Sequence, residues 1–339
     1  MVLNSINPAG DPRVGHYNAN LNGKNYHYLL ATPPRAFRAT IFLIHGWPDI
    51  SMGWRYQIPS LLQAGYRVVC PDIMGFGGTD APPVAPPPSN EGIEYYSFKR
   101  AAEDIKELAR QLGCSEIILG GHDWGGAIVY KVALWFPELV THLFSVCTPH
   151  RAPTKTYIPL EAMVSKLPNF GYQLQLASGA VEEHIKTKVQ IKQFLNGLYG
   201  GKGPNGEVGF DVRKGVLFEN LPILRKSALM DEEVLECYAE EYYRNGIGGT
   251  LCWYRNQEVN FQDELQLTKK TIDIPVLFIQ ATKDEALPPA MSEGMEEYVT
   301  NMTRKSVPTS HWALWEAPEQ VNGMVKEWLE KVDHSKSSL

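Results

Sequence analysis

A carboxylate sits inside a run of glycines, Gly121-His122-Asp123-Trp124-Gly125, followed by Gly126. An apolar run, Glu116–Leu119, precedes it, and a helical pattern, Ala127–Phe136, follows. Strand, tight turn and helix in that order form the setting of a G-x-S-x-G nucleophile elbow. Glycines let two backbones approach and tolerate a strained turn, which lifts the middle side chain clear of the sheet. Here the middle residue is aspartate, and that changes the chemistry. Serine attacking a carbonyl gives an ester that water cleaves, but serine attacking saturated carbon would give an inert ether. Aspartate attacking saturated carbon gives an alkyl ester, which water opens at the carbonyl. An aspartate is ionised at neutral pH and needs no base for the first step. The turn therefore predicts displacement at sp³ carbon, with an epoxide or an alkyl halide as electrophile. The opposing reading is a degenerate elbow in a protein that binds ligands without turnover.

Such an ester needs oxyanion donors, a base and a group to orient the base. His45-Gly46-Trp47-Pro48 follows the apolar run Thr40–Ile44. In elbow enzymes a loop so placed supplies one backbone N–H and the residue after the nucleophile supplies another. The expected donors are the N–H groups of Trp47 and Trp124. His45 and His122 are read as props for their loops. Elbow chains run nucleophile, acid, base. Downstream of Asp123 the sound base is His311, in Pro308-Thr309-Ser310-His311-Trp312. His142 falls on a predicted strand, His184 in a charged helical stretch and His334 in the tail; His150 is a candidate lining residue. The acid is Asp284, which ends the strand Pro275–Ile279 through Ala281-Thr282-Lys283. Loops at the C-terminal ends of parallel strands are where such sheets carry active groups. Asp72 is the rival, but it precedes the elbow and is read as bracing a turn. This chemistry calls for no metal and no organic cofactor.

The elements that must hold these groups follow from apolar patterning. Thr40–Ile44, Arg67–Cys70, Glu116–Leu119, His142–Val146 and Pro275–Ile279 are short and nearly continuous, as strands of a parallel sheet covered on both faces are. Asn22-Gly23 between Val14–Asn20 and Asn25–Ala31 reads as a hairpin turn. Helices are expected over Lys99–Leu112, which Gly113 stops, and from Pro318 to Val332. Strands alternating with helices predict a doubly wound α/β fold. Between Arg151 and Gln266 the rhythm breaks: Leu174–Leu198 and Asp231–Tyr243 look helical and flank a glycine-rich stretch, Gly197–Gly215. The expected organisation is a core of residues 1–150 and 267–339 with an inserted helical lid, residues 151–266. The proline-rich Ala81–Pro88 is read as an extended surface loop.

Composition narrows the class. The chain has 339 residues, 44% hydrophobic and 21% charged, with a net charge of −6. That is globular composition, and without a basic stripe it argues against a nucleic-acid partner. Five scattered cysteines with no CxxC pair fit a reducing compartment rather than a disulfide framework. The polar N-terminal stretch has no apolar segment of the secretory kind, and no apolar run spans a membrane. A cytoplasmic location is expected. Ser337-Ser338-Leu339 resembles a peroxisomal S-K-L address but lacks its basic middle residue.

Together these residues resemble the soluble epoxide hydrolases of the α/β-hydrolase superfamily. The resemblance is carried by His45–Pro48, Trp54–Pro59, Ala64–Val68, Pro71–Gly77, Gly121–Gly126, Trp253-Tyr254-Arg255-Asn256, Lys283-Asp284 and Gly323–Leu329. It implies the α/β-hydrolase fold, a mostly parallel central sheet flanked by helices with an inserted helical lid or cap. It also implies a small hydrophobic epoxide as substrate, a vicinal diol as product, and a monomer or homodimer. Haloalkane and haloacetate dehalogenases share the elbow, so the lid decides. The family pattern assigns two lid tyrosines to Tyr172, in Asn169-Phe170-Gly171-Tyr172-Gln173-Leu174, and Tyr254. An opened epoxide leaves as an alkoxide and needs a phenol to hold or protonate its oxygen, whereas a halide does not. One departure is Trp47, where phenylalanine is frequent.

Overall fold

Runs such as Thr40–Ile44 have no polar face to offer solvent, so they are stable only as strands covered on both sides. In the computed structural model, which describes residues 4–86 and 89–336, every residue of that run is buried. The strands are β1 (Gly15–Leu21), β2 (Lys24–Ala31), β3 (Thr40–Ile44), β4 (Arg67–Pro71), β5 (Ile117–His122) and β6 (Val140–Val146). They continue with β7 (Phe210–Asp211), β8 (Gly215–Val216), β9 (Val276–Ala281) and β10 (Met302–Val307). Eight of them form one sheet in the order β1-β2-β4-β3-β5-β6-β9-β10, and β7 and β8 form a separate short hairpin. β1, β2 and β4 pair antiparallel, and the remaining neighbours are parallel. The β1–β2 turn is Asn22-Gly23, both at positive φ (49° and 84°), as the expected hairpin requires. β10 went unread in the sequence because Met-Thr-Arg-Lys-Ser-Val is polar. It is an edge strand, and charged side chains suit an edge because they discourage pairing with another chain.

The parallel strands deliver their following loops to one edge of the sheet, the general location of sites in open α/β folds. His45 follows β3, Asp72 follows β4, Asp123 follows β5, Cys147 follows β6, Asp284 follows β9 and His311 follows β10.

The described residues divide into two compact units. One holds the residues up to Asp72, Ala101–Pro153 and those from Leu267 on, and it contains the large sheet. Its helix Phe98–Gln111 begins in the other unit and buries Ala102, Ile105, Leu108 and Ala109. Asp104 on that helix accepts hydrogen bonds from Tyr26 Oη (2.6 Å) and Asn22 Nδ2 (2.7 Å), fastening it to the hairpin.

The other unit holds Ile73–Arg100 and Thr154–Gln266. Residues 73–100, read in the sequence with the sheet, group here because side chains from 253–260 grip their backbone. Trp253 Nε1 donates to Met74 O (2.9 Å), Asn256 Nδ2 to Tyr96 O (2.7 Å), and Asn260 Oδ1 accepts from Phe98 N (2.8 Å). The expected helix over Leu174–Leu198 is three helices, Gly171–Ser178, Ala180–His184 and Lys188–Leu198. Gly179 at φ +92° ends the first, as a left-handed cap does. A capping box between Thr187 and Gln190 starts the third. Among the described residues no helix is long and apolar enough to cross a membrane. The tripeptide Ser337–Leu339 lies outside the described residues, as do Pro87 and Pro88 of the proline-rich loop.

Candidate active site

The turn after β5 puts Asp123 at φ 54°, ψ −124°, just ahead of the helix Trp124–Trp135. A side chain rarely sits there, and the neighbouring glycines make it possible. A Cβ on Gly125 would lie 1.9 Å from Ile44 O, one on Gly121 2.3 Å from Gly125 O, and one on Gly126 2.6 Å from Thr148 Cβ. The turn is pinned from below as well: Thr148 Oγ1 donates to Asp123 O (2.8 Å), and Ser145 Oγ donates to Thr148 O (2.7 Å).

Asp123 Oδ1 accepts the backbone N–H of Trp47 at 2.7 Å. The loop reaches this close because Gly46 has no side chain. A Cβ there would stand 2.3 Å from Asp123 Oδ1 and 2.6 Å from Trp124 N. The two N–H groups expected as oxyanion donors, those of Trp47 and Trp124, thus belong to residues packed around one carboxylate. The Trp47–Pro48 peptide is cis.

The other oxygen of Asp123, Oδ2, lies 3.4 Å from His311 Nε2. His311 Nδ1 is bonded to Asp284 Oδ2 at 2.7 Å. Asp284 is buried, and its Oδ1 accepts the backbone N–H groups of Ala286 and Leu287, each at 2.9 Å. Burial pushes the Asp284 carboxyl up, but the His311 imidazole and those N–H donors outweigh it and hold the value below the usual range. Burial likewise pulls His311 down, and the carboxylates of Asp284 and Asp123 overturn that and raise it. Removing one partner from such a pair strands a desolvated charge, at about 3–5 kcal/mol.

His311 is also fixed by its backbone. Its carbonyl accepts from His122 Nε2 (2.8 Å) and lies 3.3 Å from Cys147 Sγ. Burial lowers His122 to about 4 with His311 adding to the shift, so His122 is neutral and serves as a donor. Cys147, at φ +68°, has a thiol held well above its ordinary pKa by burial. His122, Cys147 and His311 are the described group whose metal-binding atoms come within 4.8 Å of one another. A thiol that keeps its proton is a poor metal ligand, and His311 is engaged with two carboxylates. His45 Nδ1 donates to Gly46 O (2.9 Å). Asp72 binds His27 Nδ1 and Ser51 N, both at 2.7 Å. His150 is buried against the ring of Tyr130, with centroids 5.0 Å apart. Sequence reasoning missed Gly46, Cys147 and Thr148. Only Gly46 left a signal, as the glycine between His45 and Trp47.

The two tyrosines come together within the helical unit. Tyr172 lies near the start of Gly171–Ser178 and Tyr254 ends the short helix Cys252–Tyr254. Both are buried, and their rings meet edge to face with centroids 5.9 Å apart. Gly171 permits the approach of the Tyr172 helix to the turn between β7 and β8, since a Cβ there would fall 2.1 Å from Arg213 O.

Residues 39–318 match the alpha/beta hydrolase fold family. The chain is 40% identical to the epoxide hydrolase srdG of Neurospora crassa, over 95% of this chain and 97% of that one. It is 29% identical to epoxide hydrolase A of Mycobacterium tuberculosis, over 91% and 95% of the two chains. Among solved structures, epoxide hydrolase A of Mycobacterium thermoresistibile superposes with a TM-score of 0.77 at 26% identity, covering 94% of this chain and 98% of that one. With the fold matched along most of its length and 40% identity to a full-length relative, the chain belongs to the epoxide hydrolases of the alpha/beta hydrolase fold family.

Proposed function

We propose that this protein hydrolyses epoxides to vicinal diols through an ester on Asp123. The observation that carries the reading is the alignment of Asp123 Oδ2, His311 and Asp284, at 3.4 and 2.7 Å, on a turn where a serine would stand in an esterase. Asp123 attacks an epoxide carbon while the phenols of Tyr172 and Tyr254 hold and protonate the ring oxygen. Water then attacks the ester carbonyl, giving a proton to His311; the acyl–oxygen bond breaks, the imidazolium protonates the departing diol oxygen, and the second proton of the water restores the phenol. Asp284 orients the imidazole and stabilises its charge, and the N–H groups of Trp47 and Trp124 receive the oxyanion.

A single turnover in ¹⁸O-water with excess enzyme tests the covalent step. Label is expected in the peptide containing Asp123 and not in the first diol. Label in that diol would mean direct attack by water, and halide release from a haloalkane faster than diol formation would mean a dehalogenase.

A further inference from the structure

One side chain joins the two tyrosine-bearing segments. Arg255 directly follows Tyr254 and caps the helix Cys252–Tyr254. Its Nε donates to Ala177 O at 2.9 Å, and its Nη2 pairs with Glu182. Ala177 lies in the last turn of the helix that carries Tyr172, and Glu182 lies in the next helix, Ala180–His184. The last carbonyls of a helix have no partner within it and form the negative end of its dipole, so a cation bound there is held by charge as well as by hydrogen bonding. A planar guanidinium can grip a carbonyl and a carboxylate together, which an ammonium does less well. The residues on either side of the Tyr254-Arg255 pair have anchors of their own, Trp253 on Met74 O and Asn256 on Tyr96 O. Loss of Arg255 would therefore leave the Tyr254 segment seated and loosen its tie to the Tyr172 helix.

We propose that Arg255, braced by Glu182, is a positioning residue that sets the spacing of the Tyr172 and Tyr254 phenols and thereby the rate of ring opening. This rests on the reading that the phenols hold the epoxide oxygen. A shift of about 1 Å in such a pair costs up to about a hundred-fold in rate.

The test measures pre-steady-state alkylation and ester hydrolysis on one aryl epoxide. The proteins are the wild type, Arg255→Met, Arg255→Lys, Glu182→Gln, Tyr172→Phe and the double variant Arg255→Met with Tyr172→Phe. Arg255→Met should slow alkylation by about ten- to a hundred-fold and leave hydrolysis unchanged. Arg255→Lys should recover part of the loss, and Glu182→Gln should show a smaller loss of the same kind. Coupled residues give non-additive effects, so with Tyr172→Phe already present Arg255→Met should cost no more than about two-fold further. Should Arg255→Met fail to fold, the lysine and glutamine variants carry the test. Wild-type alkylation in the Arg255 variants alongside a slow Tyr172→Phe would overturn the proposal. So would losses that multiply in the double variant, or a parallel fall in hydrolysis. Wild-type alkylation by Tyr172→Phe itself would overturn the phenol reading beneath it.

Discussion

His311 Nε2 stands 3.4 Å from Asp123 Oδ2, a longer contact than the 2.7 Å bond from its Nδ1 to Asp284. Two carboxylates around one imidazole raise its pKa against the opposing effect of burial. With the value raised, the resting His311 keeps its proton above the ordinary histidine pKa of about 6.5. On the proposed mechanism, esterification of Asp123 would remove one of the two negative charges, lower the pKa and leave the imidazole a base when water must be activated. The two half-reactions should therefore respond differently to pH. Alkylation asks no proton of His311 and should be flat across neutrality. Hydrolysis of the ester should rise with pH, by about ten-fold per unit while His311 is mostly protonated. Stopped-flow single turnovers resolve the two, and a flat hydrolysis limb would contradict the assignment of His311.

His311→Gln should separate the steps completely. Asp123 still attacks, but no base activates the water, so the ester accumulates. Intact mass after exposure to an epoxide should show the protein heavier by one substrate. Full diol turnover without that adduct would remove His311 from the mechanism.

Tyr172→Phe and Tyr254→Phe should each be slowed but active, because the remaining phenol still meets the alkoxide. The double variant should lose about 10²–10⁴-fold in alkylation. Its slowly formed ester should hydrolyse normally, since the groups that cleave it are untouched. Alkylation at the wild-type rate in the double variant would count against both tyrosines.

Gly125→Ala should fail by crowding. The new methyl would lie 1.9 Å from Ile44 O and 2.6 Å from His45 O, both backbone atoms that cannot turn aside. Overpacking of this kind costs about 1–3 kcal/mol or more, and it would force apart β3 and the turn that carries Asp123. A lowered thermal midpoint with activity lost beyond what unfolding accounts for is the expected pair of results. A variant with wild-type midpoint and rate would show that the turn is looser than its contacts imply.

What could be read from the sequence divides by the range of the forces involved. The turn at Asp123 and the hairpin at Asn22-Gly23 are written locally, as glycines where the backbone needs them. Asp284 and His311 were reachable through chain order and strand ends, and the structure brings them into hydrogen-bond contact. Tyr172 and Tyr254 were chosen by resemblance, because several other tyrosines were compositionally equal candidates. β10 escaped because an edge strand need not be apolar. The grouping of residues 73–100 with 154–266 also escaped, since it depends on Trp253, Asn256 and Asn260 reaching a backbone more than a hundred and fifty positions away. Periodicity cannot show such reach. The break at Gly179 was visible as a glycine but was outweighed by the apolar pattern on either side.

The bond from Trp47 N–H to Asp123 Oδ1 makes the two oxygens of that carboxylate unequal. Oδ1 is tied to the loop, so on the proposed mechanism Oδ2, on the His311 side, is the oxygen that attacks and leaves within the diol. Water activated by His311 would then arrive from that side and take the place Oδ2 had vacated. If the tether to Trp47 keeps the carboxylate from spinning between cycles, each diol carries away the oxygen that water delivered one cycle earlier. The enzyme would then work as a one-place queue. In labelled water the second diol from each molecule would be fully labelled, whereas a freely rotating carboxylate would label about half of those second diols.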